Sequence, residues 1–338
     1  MNFISVGDMA RAFQMRHQGS AMRQEINRLN TELTTGRKLD TGAALRGDFS
    51  TLAGIEGSLT SLAAYKTTTT EATLVSGTMQ TVLSGIRNLT KTAGPAMVST
   101  AETASAAAVD ARAGDARQSF IATIGLLNTS AGGRFTMAGA ASDQVPVASA
   151  SDILGWLRDE VSGEIGANGV AAKVDAWFDA PPGGGGYLDH AYNGSAEPVG
   201  PIPLGPGEAA HLPFTAGDPE VRDVLKGLAL AALVSEGLMQ GNDVERARIT
   251  QIAGQRVMSG DERLIAAQAR LGMQEQAIAG ATARNAAETT ALTTARSAIA
   301  EADPFETATA LEALSTQMET LYSVTARMSR LNLTSFLR

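Results

Sequence analysis

The sequence predicts a mainly α-helical fold: a long antiparallel helical bundle, drawn out into a rod, built from N- and C-terminal arms with a small inserted β-rich or mixed domain. Three observations predict it. Apolar residues recur at heptad spacing toward both ends of the chain. Eight of the eleven prolines, and both tryptophans (Trp156 and Trp177), fall between Pro146 and Pro213, which sets the middle apart. Only 4% of the residues are aromatic, which suits Ala/Leu helices whose backbones approach closely and does not suit a catalytic pocket. These shifts divide the chain into an N-terminal helical arm, 1–139, an inserted outer domain, 140–217, and a C-terminal helical arm, 218–338, expected to pack against the first.

In the first arm Met15, Met22 and Leu29 recur every seven residues, with Ile26 and Leu33 at the companion positions. A turn is expected around Gly36–Gly47. Leu52, Ile55, Leu59 and Leu62, then Val75, Met79, Val82, Ile86 and Leu89, continue the pattern. Gly94-Pro95 is expected to break this helix, because proline removes a backbone donor and its ring clashes with the preceding turn. A further helix is expected over 96–128. In the insert, a short helix is expected over 151–163, followed by turns at Gly183–Gly186 and an extended segment at Val199–Gly207. Its prolines restrict that segment to edge strands. The insert reads as self-contained, so that a short linker could replace it.

In the second arm, Asp218-Pro219 and Asp303-Pro304 each place a capping carboxylate before a proline at a first helical position. Val257, Leu264, Leu271, Ile278, Leu292 and Ile299 share one seven-residue series interrupted only by Asn285, with Ala267, Ala281 and Ala295 beside it. A helix of about 60 residues would be about 90 Å long. The last stripe holds Leu311, Leu314, Met318, Leu321 and Met328, and ends in Leu331, Leu333, Phe336 and Leu337. The inner stripes are expected to form the bundle core. The outermost have no further chain to cover them, so Met22, Ile26, Leu29, Leu33, Leu314, Leu321, Met328, Leu331, Leu333 and Phe336 are candidate contacts between subunits.

The net charge of −8 offers no basic surplus for nucleic acid. The most apolar run, Leu228–Val234, is far too short to cross a membrane. The chain has no cysteine, which removes disulfides, thiolate metal sites and a cysteine nucleophile. His17, His190 and His211 have no partner at ligand spacing, and no metal or cofactor is expected. Four consecutive glycines, Gly183–Gly186, could cradle an anion, but no strand–glycine–helix context surrounds them. Asp189-His190 is no catalytic pair on an extended strand, and Asn193-Gly194 is first a turn signal. The expectation is a protein that is not an enzyme.

Several segments resemble one family. Leu29-Asn30-Thr31-Glu32-Leu33-Thr34-Thr35-Gly36-Arg37-Lys38 is similar to the L-x-x-x-L-(S/T)-(S/T)-G-(K/R)-(K/R) segment shared by bacterial flagellins and flagellar hook-associated proteins. The C-terminal stretch, from Asp303-Pro304 through Leu321-Tyr322 and Ala326–Leu333 to Phe336-Leu337, resembles the hook–filament junction members more than filament flagellin. Gly133–Gly139, Tyr192-Asn193-Gly194, Leu204–Gly207, Asp223-Val224-Leu225 and Arg270-Leu271-Gly272 resemble family signatures in the same order, the last with one residue fewer than the family pattern. The family's proline-containing acidic loop is replaced by Leu39–Asp48, which has no proline.

The resemblance implies a self-associating structural protein of the flagellum. It implies export by the flagellar type III apparatus without a cleaved signal peptide, in keeping with an N-terminus that lacks a basic leader and an apolar stretch. It also implies terminal helices that order on assembly, and an extracellular place. The implied partners are further copies, hook-associated proteins, flagellin and an export chaperone, with neither nucleic acid nor membrane. A divergent flagellin and a cytoplasmic coiled-coil adaptor are the alternatives.

Overall fold

A computed structural model describes the backbone of residues 6–45, 47–103 and 105–336. It is mainly helical, with two small antiparallel sheets among the described residues. The chain divides into two compact units, Met1–Ser61 with Ala287–Arg338, and Leu62–Ala286.

In the first unit, α1 (Val6–Thr35) packs against α10 (Pro304–Phe336). Their register is antiparallel. The Thr325 hydroxyl reaches Met15 Sδ at 3.8 Å, and a Cβ placed on Gly19 would lie 3.6 Å from Leu321 Cδ2. Asp303 starts α10 as expected, its Oδ1 accepting from the backbone N–H groups of Phe305 (2.8 Å) and Glu306 (3.1 Å). The short α2 (Thr41–Ala44) follows the turn after α1.

The second unit is built around α8 (Pro219–Ser235). Val221 and every residue from Val224 to Val234 are buried, so this helix is enclosed on all sides. It packs against α4 (Ala106–Leu127), α5 (Ala150–Glu160) and α6 (Ala167–Asp179). The seam of α9 (Asp243–Ala300) is buried at Val257, Leu264, Leu271, Ile278 and Asn285, with Ala267 and Ala281 beside it.

Three expectations need correction. Pro95 does not break its helix: α3 runs from Ser50 to Thr103 with the proline inside, and α4 begins only at Ala106. Packing holds the helix through the proline. A Cβ on Gly254 would lie 2.7 Å from Gly94 O and 3.0 Å from Met97 Cβ, so α9 crosses α3 in backbone contact at this point. Asp218 precedes α8 but makes no capping bond from its side chain. Its Oδ2 turns back to accept from Thr215 N at 2.9 Å, and burial pushes its carboxyl above the ordinary aspartate range. The content of the insert is also more helical than turns and edge strands: α5 matches the expected helix, but α6 and the short α7 (Tyr187–His190) were not foreseen.

The extended segment does pair. β3 (Val199–Gly205) and β4 (Glu208–Leu212) form a two-stranded sheet with register irregularities where Pro201 and Pro203 interrupt the ladder. β1 (Ser130–Ala131) and β2 (Arg134–Phe135) make a second, minimal hairpin turning at Gly132 and Gly133, both at positive φ. The two tryptophans join Phe178, Tyr187, Tyr192 and His190 in one aromatic cluster, with Trp177 edge-on to Phe178 at 5.0 Å. This cluster is continuous with the core of α4 and α8. The boundaries of the two compact units fall inside α3 and α9, near residues 61 and 286.

Candidate assembly surface

The segment from Leu29 to Lys38 closes the first unit on itself. Leu29 is buried. Gly36 turns the chain at φ 67°, after which Arg37 forms an antiparallel bridge with Glu301. Lys38 N donates to Ala300 O at 2.9 Å, and Ala302 N to Gly36 O at 3.1 Å. The Lys38 ammonium reaches Ile299 O at 3.4 Å. A short backbone clasp thus ties the end of α1 to the junction of α9 and α10.

A carboxylate lies beneath the clasp. Glu32 is only 4% exposed, and its Oε1 accepts from Leu39 N and from Arg28 Nη1, each at 2.8 Å. Arg28 also donates from Nε to Glu25 at 2.9 Å. That bond holds the Glu25 carboxyl below its ordinary range and raises the guanidinium further. The adjoining groove, about 630 Å³, is lined by these side chains together with Lys38, Asp40, Asp303 and Glu306.

Farther along the pair the lining changes. Met22, Leu321 and Val324 meet beside Thr316, Gln317 and Thr320 in an apolar groove of about 350 Å³. Ile26 and Leu314 are half-buried, while Leu33 is 38% exposed. The side chains of Met328, Leu331, Leu333 and Phe336 lie outside the described residues. The structure thus brings Met22 to Leu321, and Leu29 to the α10 face near Ala310. The sequence did not single out Phe13 (67% exposed), Phe305 (82%), Tyr322 (53%) or Val324. Of these, Val324 lines the apolar groove, and the exposed rings are large apolar surface in a chain that is only 4% aromatic. Glu32 was also missed, although Arg28 stands four residues before it and three after Glu25, the spacing of ion pairs on one helix face.

Elsewhere the candidate groups have structural partners. Asp189 fills the glycine nest itself, its two carboxylate oxygens accepting from Gly183 N (2.8 Å) and Gly185 N (2.7 Å). His190 stands 5.8 Å from the Trp156 ring, and His17 6.4 Å from Phe13. Lys226, buried on α8, is held by Asp179 at 2.6 Å and Asp223 at 2.9 Å. Among the described residues no three His, Asp or Glu side chains gather as a metal-binding group. Nor is any helix there long and apolar enough to cross a membrane.

Residues 260–337 match the family model of the bacterial flagellin C-terminal helical region, a span that takes in the later part of α9 and the whole of α10. The fold is similar to that of a protein from Vibrio parahaemolyticus described as a flagellar hook-associated protein. That likeness has a TM-score of 0.51 at 12% identity and covers 75% of this chain and 98% of the other. The crystal structure of Bacillus cereus FlgL is similar at a TM-score of 0.49 and 13% identity, over 72% of this chain and 100% of that one. At such identities the likeness is one of fold. No curated protein matches the chain in sequence.

Proposed function

We propose that the chain is a structural component of the bacterial flagellum, a hook–filament junction protein that assembles through its terminal helices. The observation that carries this reading is a coincidence of place. The stretch that matches the flagellin C-terminal helical region includes α10, the helix that pairs with α1 and presents the apolar groove at Leu321 and Val324. Burial of that groove between subunits would supply the hydrophobic contribution to assembly. Met22, Ile26, Leu29, Leu33, Leu314 and Leu321 are the proposed contacts, continued by Met328, Leu331, Leu333 and Phe336. The role is one of packing rather than catalysis. The proposed partners are further copies, hook-associated proteins, flagellin and an export chaperone. The proposed place is the extracellular flagellum, reached by type III export without a cleaved leader.

Electron microscopy of cells lacking the gene tests this. Intact hooks with detached filaments are expected, and normal filaments on those hooks would overturn the reading. The match to a flagellin region favours a second reading, a divergent filament flagellin. That reading requires hooks without filaments in the same cells, and the protein as the main component of sheared filaments. A Leu321→Asp variant is expected to stay folded and fail to assemble, because a carboxylate in a closing apolar seam must be desolvated.

A further inference from the structure

The chain has ten asparagines, and only Asn168 and Asn193 are followed by glycine. That dipeptide is chemically labile, because the glycine amide, unhindered by a side chain, can attack the asparagine's own side-chain carbonyl. The structure treats the two pairs differently. Asn168-Gly169 lies in the first turn of α6, where the helical ψ keeps the Gly169 nitrogen from turning onto the Asn168 amide. Asn193-Gly194 lies outside any helix or strand, and Asn193 is exposed. Its side-chain amide is held only by a 3.5 Å contact from Nδ2 to Val145 O. The Gly194 N–H donates to no acceptor among the described residues.

The groups on either side are fixed. Asn193 N donates to Pro146 O at 2.8 Å, and Ser195 N to Ala138 O at 2.9 Å. The Tyr192 hydroxyl donates to Ser195 O at 2.8 Å. Glycine is also required in the second place, since a Cβ on Gly194 would lie 2.7 Å from Ala138 O and run into the Tyr192 ring. The fold therefore keeps the labile pair and has no room for a bulkier residue that would slow it.

We propose that Asn193 is a site of spontaneous, irreversible self-modification. Gly194 N gives up its proton and bonds to Asn193 Cγ, and the side-chain nitrogen leaves as ammonia. Water then opens the succinimide at either carbonyl, giving aspartate or isoaspartate. The sum is asparagine plus water going to a carboxyl group plus ammonia. Isoaspartate routes the main chain through the side-chain carbon, which adds one carbon between two backbone bonds of fixed spacing. The bonds to Pro146 and Ala138 cannot then both be kept, so the turn detaches from the 137–147 segment as the protein ages. This chemistry does not depend on the flagellar role.

Peptide mapping of the folded full-length protein tests it. Trypsin, cutting after Arg158, Lys173 and Arg222, isolates Asn168 in peptide 159–173 and Asn193 in peptide 174–222. After incubation in mildly alkaline buffer, peptide 174–222 should gain about 1 Da and accept methyl groups from an isoaspartyl methyltransferase, while 159–173 stays unchanged. The rate should rise about tenfold per pH unit, as the fraction of amide anion does. Asn193→Gln should abolish the gain, since ring closure from the longer side chain is far slower, and should leave the circular dichroism unchanged. In urea both peptides of the native sequence should gain mass, because the helix no longer protects Asn168. A gain first in 159–173, equal gains in the folded protein, a gain that persists in N193Q, no gain in either peptide, or a preference that survives in urea would each overturn the proposal. Aged protein should also exchange the amides of Asn193 and Ser195 faster, and exchange as slow as in fresh protein would overturn the detachment of the turn.

Discussion

The side-chain amide of Asn285 donates a 2.7 Å hydrogen bond to the carbonyl oxygen of Leu204. Asn285 is the one polar interruption of the α9 series, and Leu204, on β3, is buried. The polar residue therefore marks the point where the seam meets a strand backbone instead of another helix. Nearby, the Thr68 hydroxyl of α3 donates to Pro203 O, and Gln274 of α9 accepts from His211 N. Asn285→Leu would complete the apolar series and yet is expected to lower the melting temperature. It removes the side-chain amide that pairs with the carbonyl of buried Leu204, a loss of roughly 1–3 kcal/mol. Chemical denaturation would read the cost, and faster amide exchange confined to β3 and β4 would locate it.

Two glycines of α9 should respond in opposite directions. Gly254→Ala forces a methyl group against Gly94 O and Met97 Cβ, and is expected to destabilise by roughly 1–3 kcal/mol through overpacking. At Gly272 a Cβ meets nothing within 4 Å. Gly272→Ala should therefore stabilise by up to about 1 kcal/mol through helix propensity alone. Equal melting temperatures for the two variants would contradict the close crossing of α3 and α9.

The loop at Gly183–Gly186 should depend on pH. The backbone N–H groups of Gly183 and Gly185 hold the Asp189 carboxyl below its ordinary range. A depressed value in the folded state means that the stabilisation is present above the ordinary aspartate range and is lost as pH falls through the lowered value. Amide exchange at Gly183 and Gly185, relative to intrinsic rates, should accelerate on acidification. Asp189→Asn should show the acceleration already at neutral pH, since its amide offers only one acceptor. Unchanged exchange in that variant would show that the loop is held by other contacts.

Replacing residues 140–217 by a short Gly/Ser linker is expected to abolish cooperative melting. Ile153, Leu157, Val174, Phe178, Leu212 and Phe214 belong to the same buried core as α8, and their removal would expose a helix that is apolar around its circumference. A soluble, cooperatively folding deletion variant would instead establish the segment as a separable domain.

The heptad stripes and the α10 cap were legible because each follows from local spacing, whereas the Leu29–Lys38 segment was marked by resemblance alone and its bonds to Ala300 and Ala302 were not foreseen. Val257, Leu264, Leu271 and Ile278 are buried as their period requires. Pro95 was misread because a local rule was overridden by a tertiary contact: the partner that holds its helix, Gly254, lies 159 residues away. α6 was overlooked although Val170, Ala171, Val174, Trp177 and Phe178 are helically spaced, because the glycines around them suggested turns. At the candidate surface, Leu33 was legible as an apolar position. The burial of Glu32 beside it was not, since that depends on how the chain returns after Gly36 to place the Leu39 N–H.

The aromatic cluster has a spectroscopic consequence. Both tryptophans of the chain, Trp156 and Trp177, sit within it, inside the unit spanning Leu62–Ala286. Indole emission therefore reports on that unit alone, and the α1–α10 pair can fray, refold or dock while remaining dark at those wavelengths. A melt followed by tryptophan emission would look two-state even if the terminal helices had separated tens of degrees earlier. Far-ultraviolet ellipticity would record that earlier loss, and the gap between the two traces would measure how independently the two units unfold.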